Sequence, residues 1–131
     1  MKFIGTTQKG AGRGKKIGFP TVNVKLATPE YEEGVFAVRG ELDGKKFEGI
    51  AHFGPRPTFG DENLSVEIHI FNFSEEVPEK TDVEFETVGL RIRGVQSFAS
   101  GKDLAQQIEK DIAQAKYLCR NNVEEVEKMA D

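Results

Sequence analysis

Tryptophan is absent from the 131-residue sequence, and cysteine occurs once, at Cys119. A single cysteine cannot form an intrachain disulfide, which argues against a disulfide-stapled extracellular fold and makes a reducing cytoplasm the expected compartment. The two histidines, His52 and His69, are too few for a transition-metal site. No apolar run reaches about 18 residues, so neither a transmembrane helix nor a membrane partner is expected.

Neither sign of charge dominates the chain, because 22 acidic residues stand against 18 basic ones and the net charge is −4. This balance suits a surface of mixed charges and argues against a general polyanion binder, so nucleic acid is not expected as a partner. A domain near this length buries roughly two thirds of the surface that its unfolded chain exposes. We therefore expect one domain over residues 1–131.

The first two thirds of the chain alternate between apolar and polar residues, as β-strands do. The Asp43-Gly44 pair between two such stretches is typical of a tight hairpin turn. Short strands with regular turns favour a mainly β fold, a small closed antiparallel, Greek-key-like barrel of about six strands over residues 1–98. Strand-like stretches include residues 21–26, 34–41, 46–53, 65–73 and 81–88.

A helical period replaces this alternation after residue 98. Ser100 is a good N-cap with Asp103 three residues later, and the spacing predicts a helix over residues 101–120 that extends to about 128. Its apolar stripe should pack on the barrel, with Cys119 buried as a small apolar side chain rather than exposed as a reactive thiol. The stripe consists of Leu104, Ile108, Ile112, Ala115 and Cys119.

The stretch KGAGRGKK combines glycines with cations near the N-terminus. Glycine lets backbone N–H groups approach an anion closely, and the cations add positive charge, so the segment is suited to wrap a polyphosphate. It matches neither a Walker A loop nor a dinucleotide fingerprint, and a solvated loop is the alternative. The residues are Gly10, Gly12 and Gly14 with Lys9, Arg13, Lys15 and Lys16.

A rigid corner follows directly, because Pro20 fixes the backbone before an extended segment. Alternation then points Thr21 and Asn23 to one side, which sets a hydroxyl beside a carboxamide oxygen. Neutral oxygen ligands of this kind suit a Mg²⁺ ion that takes its other ligands from phosphates and water. The alternative is that both side chains only hydrogen-bond the turn.

The stretch SVEIHIFNF carries a second candidate group, Glu67. Alternation separates an apolar face from a face on which Glu67 lies with a histidine and an aromatic residue. A carboxylate in such a pocket can act as a general base, and a solvated surface charge is the alternative. The apolar face consists of Val66, Ile68 and Ile70, and the other face of Glu67, His69 and Phe71.

Together these stretches resemble the riboflavin kinase family. The matching segments are GAGRGKKIGFPTVNV, GVFAVRGELDGKKFEGIAHFGPRPTFG, VEIHIFNF, GLR and SGKDLAQQIEKDIAQAK, in the family's order over nearly the whole chain. The resemblance implies a small barrel with a C-terminal helix that transfers the γ-phosphoryl group of ATP to the 5′-hydroxyl of riboflavin. The products would be FMN and ADP, Mg²⁺ would be the cofactor, and the chain would act on these small molecules as a monomer.

The resemblance also implies roles for individual residues. Glu67 would be the catalytic base, Thr21 and Asn23 would hold the metal, and Arg91 and Phe98 would bind the flavin. Since the matching segments belong to the kinase part of bifunctional FAD synthases, this chain alone is expected not to make FAD. The nucleotide would be bound by Gly10, Gly12, Lys15, Lys16, Thr21, Asn23 and Asn72.

Two departures from the family pattern bear on the flavin side. His52 stands where members usually have Asn, and the loop LRIRGVQSF is two residues longer, with Arg93 in place of an acid that would pair with Arg91. We expect this loop to be loosely held, and to order only with flavin and nucleotide both bound. Two alternative functions remain: a flavin- or nucleotide-binding module with impaired catalysis, and a barrel that binds single-stranded nucleic acid through its basic loop.

Overall fold

Antiparallel strands close on themselves in the order β1-β2-β5-β4-β3-β6. The computed structural model describes residues 1–9, 17–27, 31–54 and 66–121. The β2–β5 and β3–β6 pairs join strands that are not consecutive, and this Greek-key-like barrel confirms the predicted fold class. The elements are β1 (Lys2–Gln8), β2 (Val22–Leu26), β3 (Gly34–Leu42), β4 (Lys45–Phe53), β5 (Val66–Ile70), β6 (Asp82–Arg93) and the helix α1 (Gly101–Asn121).

The inside of the barrel is filled by alternate apolar residues from the strands, which we call the inner core. Phe53 lies in its middle, with ring centroids 5.1 Å from Phe3, 5.5 Å from Phe36 and 6.1 Å from Phe85. Burying one such side chain stabilises the fold by about 1.5–3 kcal/mol. The inner core consists of Phe3, Val24, Phe36, Val38, Leu42, Ala51, Phe53, Val66, Ile68, Ile70, Val83 and Phe85.

Strand β1 is not among the stretches predicted from alternation, because one of its apolar residues faces outward and one of its polar residues is buried. Ile4 points outward and is 66% exposed, whereas Thr7 is buried. The Thr7 hydroxyl donates to the carbonyl of Pro78 at 2.7 Å and accepts from the amide of Thr81 at 3.0 Å. A buried hydroxyl whose hydrogen bonds are satisfied is tolerated in a core, so β1 folds without a regular apolar face.

The hairpin between β3 and β4 turns at the predicted pair. Asp43 and Gly44 have φ values of 51° and 79°, and Leu42 pairs with Lys45 across the two-residue loop. Positive φ at both central residues defines a type I′ turn, whose twist matches that of the flanking strands. The Asp-Gly signal is therefore confirmed.

Helix α1 covers part of the outside of the barrel. Its first turn is capped by Ser100, whose Oγ accepts from the amide of Asp103 at 3.2 Å, as predicted. Ala115 and Cys119 pack on outward-facing strand residues, with Ile108 and Ile112 beside them. We call this contact the outer seam, and its strand residues are Val35, Ala37, Ile50 and Val88. The predicted extension of α1 to residue 128 lies outside the described residues.

Cys119 is buried in the outer seam, which confirms the prediction for its side chain. Burial raises the pKa of its thiol from about 9 to about 11, and the nearby Glu48 carboxylate adds to the shift. The thiolate is therefore disfavoured near neutral pH. Across the described ranges, no helix is long and apolar enough to span a membrane.

Strand β6 runs five residues past its predicted end, through a bulge. Val35 pairs with Arg93 while Ala37 pairs with Val88, so two steps along β3 face five along β6. Gly89 has a φ of 72°, a value that glycine adopts without strain. The bulge accommodates the additional residues of β6 without ending its pairing with β3, and it places Arg93 next to α1.

Candidate active site

The candidate groups lie along a line of cross-strand neighbours on the outside of the barrel. Glu67 pairs with Asn23 of β2 on one side and with His52 of β4 on the other. His52 in turn pairs with Val35, and Val35 pairs with Arg93. Directly paired residues of antiparallel strands point to the same face, so these five side chains form one outer row.

Glu67 lies between Asn23 and His52 in this outer row, and it is buried. Its side chain is only 4% exposed, although it faces away from the inner core. The alternative of a solvated surface charge is therefore wrong. Burial disfavours the charged form of a carboxylate and strengthens its interaction with any polar group beside it. A buried carboxylate with an amide and an imidazole as direct neighbours has the surroundings of a general base.

The corner before β2 is held against β5. The ring of His69 contacts the carbonyl of Pro20 through Nδ1 at 2.8 Å and meets the edge of the Phe19 ring at a centroid distance of 5.6 Å. Thr21 follows this corner and is half-buried, as is Asn23 two residues later. The corner is therefore fixed by packing as well as by proline, and it leads directly into Asn23, which pairs with Glu67.

The donors at this corner fit a magnesium ion that arrives with phosphate. Thr21 and Asn23 offer neutral oxygen atoms, and Mg²⁺ commonly combines a few such protein ligands with substrate phosphates and water. Within the described part of the chain, no three residues among His, Cys, Asp and Glu cluster as a metal site. A site at Thr21 and Asn23 would thus depend on phosphate oxygens for its negative charge.

The predicted nucleotide-binding residues fall into two groups. Gly10, Gly12, Lys15 and Lys16 lie outside the described residues. Asn72 lies beyond the end of β5, exposed and with a φ of 54°. Strand β5 ends at Ile70 and Asn72 lies in the turn that follows, so Asn72 takes part in none of the cross-strand pairs that define the outer row.

The predicted flavin-side residues have different surroundings. Arg91 is exposed, pairs with Glu32 at 3.4 Å and donates to the carbonyl of Glu33 at 3.1 Å. Phe98 lies beside Arg93 instead, with the guanidinium carbon 5.5 Å from its ring centroid. The structure therefore brings Phe98 together with Arg93 and not with Arg91.

Arg93, which stands where the family has an acid, is held by an acid from another element. Its Nε donates to Oδ2 of Asp111 at 2.9 Å, so α1 supplies the acid that the loop itself does not contain. Sequence reasoning missed Asp111, although a signal was present. Asp111 lies three residues after Ile108 and four before Ala115, so the helical period places a charged residue on the apolar stripe.

Comparisons with known proteins agree with this barrel and helix. The family model described as Flavokinase: Riboflavin kinase matches residues 1–119. The chain belongs to the riboflavin kinase family.

Two curated relatives are bifunctional riboflavin kinase/FMN adenylyltransferases. The protein from Bacillus subtilis is 38% identical over 111 residues, which cover 81% of this chain and 34% of the relative. The protein from Haemophilus influenzae is 37% identical over 118 residues, which cover 88% of this chain and 37% of the relative. This chain therefore spans about a third of the length of these two relatives.

A third relative and one solved structure extend the comparison. The RNA-binding riboflavin kinase RibR of Bacillus subtilis is 32% identical over 113 residues, covering 85% of this chain and 48% of its own length. The crystal structure of a macrolide-efflux protein from Streptococcus pneumoniae matches with a TM-score of 0.72 and 30% identity, over 84% of this chain and 36% of that one. The structural match supports the barrel fold.

Proposed function

We propose that this chain transfers the γ-phosphoryl group of ATP to the ribityl 5′-hydroxyl of riboflavin. The hydroxyl oxygen forms a bond to the γ-phosphorus, the bond from that phosphorus to the ADP oxygen breaks, and the hydroxyl proton goes to a protein base. The products are FMN and ADP. Membership of the riboflavin kinase family supports the choice of substrates.

The observation that carries the proposal is the buried Glu67 carboxylate in the outer row. Phosphoryl transfer depends mainly on alignment and charge stabilisation, so the protein needs one base, a metal site and two well-placed substrates. Glu67 has Asn23 as its neighbour on one side and His52 on the other. In this proposal the acceptor hydroxyl lies at Glu67, between a nucleotide side at β2 and a flavin side toward β6.

The remaining roles follow the family resemblance. Thr21 and Asn23 would hold Mg²⁺, which neutralises the charge on the transferred phosphate when it is bound. Phe98 would contact the flavin ring, with Arg91 on the same side. Gly10, Gly12, Lys15, Lys16 and Asn72 would contact the nucleotide.

Partners and compartment are part of the same proposal. The roles assigned here need no residue of a second chain, so the chain would act as a monomer on small molecules, without nucleic acid. ATP is an intracellular substrate, so the reaction would take place in the cytoplasm. Cys119, a free and buried thiol, suits a reducing compartment.

Incubation of the protein with riboflavin, ATP and Mg²⁺, followed by chromatographic detection of FMN, tests the proposal. We expect FMN to form in proportion to enzyme and to disappear when EDTA removes the metal. Tight riboflavin binding without FMN would instead indicate a binding module. Salt-dependent oligonucleotide binding without FMN would indicate a nucleic-acid-binding barrel.

A further inference from the structure

One buried ion pair lies outside the catalytic roles assigned above. The side chain of Asp111 is 1% exposed and that of Arg93 is 11% exposed, and their charged atoms are 2.9 Å apart. Burying two charges costs desolvation energy that their attraction does not reliably recover, and apolar residues of similar volume often stabilise a fold equally well. Stability alone therefore does not explain a charged pair at the outer seam.

The Arg93–Asp111 pair connects the end of β6, the segment of residues 94–98 and the helix α1. Arg93 ends β6, its Nη1 donates to the carbonyl of Gly94 at 3.3 Å, and its guanidinium carbon lies 5.5 Å from the centroid of the Phe98 ring. Asp111 belongs to α1, and Gln107 one turn earlier donates to its second oxygen at 3.0 Å. Both carboxylate oxygens thus have partners, which leaves the guanidinium little freedom to turn.

Arg93 is also the end of the outer row. Three strand-to-strand steps separate it from Glu67, through His52 and Val35. At about 4.8 Å for each step, this is about 14 Å along the sheet. A riboflavin molecule with its 5′-hydroxyl at Glu67 extends its ribityl chain and ring system over a comparable distance. Since α1 covers Val35, the aromatic ring would meet this end of the row at the half-buried Phe98 beside Arg93 and not over Val35 itself.

We propose that Arg93 and Asp111, supported by Gln107, are positioning residues that hold Phe98 and residues 94–98 for the flavin ring. The inference rests on the proposed function, since it assumes that the substrate has a planar aromatic ring. The pair acts through Phe98 and does not touch the reacting atoms. It should therefore govern riboflavin affinity and leave the nucleotide side unaffected.

The double variant Arg93→Met with Asp111→Leu tests this inference, because it removes both charges together and keeps apolar volume at the seam. We expect its thermal unfolding to stay close to that of the wild type, since no unpaired charge remains. We expect the Kd for riboflavin, measured by flavin fluorescence, and its KM to rise about tenfold or more, because misplaced contacts are costly. The KM for Mg²⁺-ATP should change less than about twofold.

The matched control is Arg39→Met with Glu86→Leu. This pair has a similar distance of 3.0 Å between β3 and β6, but its side chains are 30% and 26% exposed and it lies away from the outer row. We expect both Michaelis constants to remain at the wild-type level in this variant. A control that weakens riboflavin as strongly as the test variant would overturn the inference.

A second, milder variant keeps the inference testable if the double variant does not fold. Gln107→Met removes only the hydrogen bond to Asp111, and we expect the Kd for riboflavin to rise by about twofold to fivefold with the fold intact. Wild-type riboflavin affinity in folded Gln107→Met and in a folded double variant would overturn the positioning role. If the wild type binds riboflavin without making FMN, the kinase proposal fails, and the riboflavin Kd values still test the inference.

Discussion

The inner core and the buried part of the barrel's outer face contain different chemistry. The inner core is built from aliphatic and phenylalanine side chains that contact one another. The outer face under α1 combines the small apolar residues of the outer seam with the Arg93–Asp111 pair, and the outer row adds the buried Glu67. The inner core thus encloses apolar side chains, whereas the buried part of the outer face also encloses charged ones.

This difference predicts that substitutions on the two faces separate stability from activity. An interior residue is surrounded by apolar neighbours and supplies packing energy only. An outer-row residue lies beside charged or polar neighbours, and its removal changes electrostatics at the site more than it changes packing. Variants of single residues in the inner core and on the outer face can test this separation.

Phe53→Ala should cause the largest loss of stability. Phe53 is 1% exposed and its ring contacts those of three other phenylalanines, so truncation should cost about 3–5 kcal/mol of unfolding free energy. Urea denaturation measures this loss. Tyr117→Ala on the exposed face of α1 is the control, with a change within about 0.5 kcal/mol. An equal loss in both variants would contradict the assignment of the inner core.

Asn23→Leu should weaken the metal-bound nucleotide specifically. Loss of an oxygen ligand should raise the Kd for Mg²⁺-ATP by about tenfold or more, in the range found for weakened metal sites, while metal-free ATP binds nearly as before. Thr21→Val should act in the same direction. Calorimetry with and without Mg²⁺ provides the comparison. Equal losses in both conditions would mean that the two side chains only stabilise the turn.

His52→Asn should have a smaller effect than His52→Leu. His52 is the direct β4 neighbour of Glu67, and asparagine keeps a polar group beside the carboxylate. We expect kcat to stay within about threefold in His52→Asn and to fall about tenfold in His52→Leu. Equal turnover in both variants would show that the imidazole does not assist Glu67.

The Cys119 thiol should produce the smallest effect, visible only in alkali. Its pKa is raised to about 11 in the folded protein, so the unfolded chain loses this proton first as pH rises above about 9. The folded state then binds more protons than the unfolded state, and stability falls with rising pH, by about 1 kcal/mol at about pH 10.

Urea denaturation at about pH 8 and about pH 10 measures this fall. Cys119→Ala shares every other alkaline group with the wild type, so the difference between the two proteins isolates the thiol. We expect the variant to lose less stability over this interval. Identical losses would contradict the raised pKa.

Most of the fold could be predicted from local patterns. The Asp43-Gly44 turn, the Ser100 cap and the period of the α1 stripe are signals contained within a few residues. Strand β1 could not be predicted in this way, because Thr7 is buried through hydrogen bonds and Ile4 is exposed. Its place depends on tertiary contacts that alternation does not encode.

The candidate site depended more on distant contacts. Alternation correctly separated Glu67 from the apolar face of β5, but it could not reveal that Glu67 is itself buried on the outer face. The pairing of Asn23 with Glu67 requires the register between β2 and β5. The Arg93–Asp111 pair joins residues 18 apart in different elements, so the spacing of residues within the loop could not predict it.

The central claim is that Glu67, in the outer row, is the catalytic base, and one variant tests it most directly. Glu67→Gln keeps the shape of the side chain and removes the proton acceptor. We predict that kcat for FMN formation falls about 10²- to 10⁴-fold, while the riboflavin Kd and the urea midpoint stay near their wild-type values. Near-normal turnover in a folded Glu67→Gln protein would contradict the account.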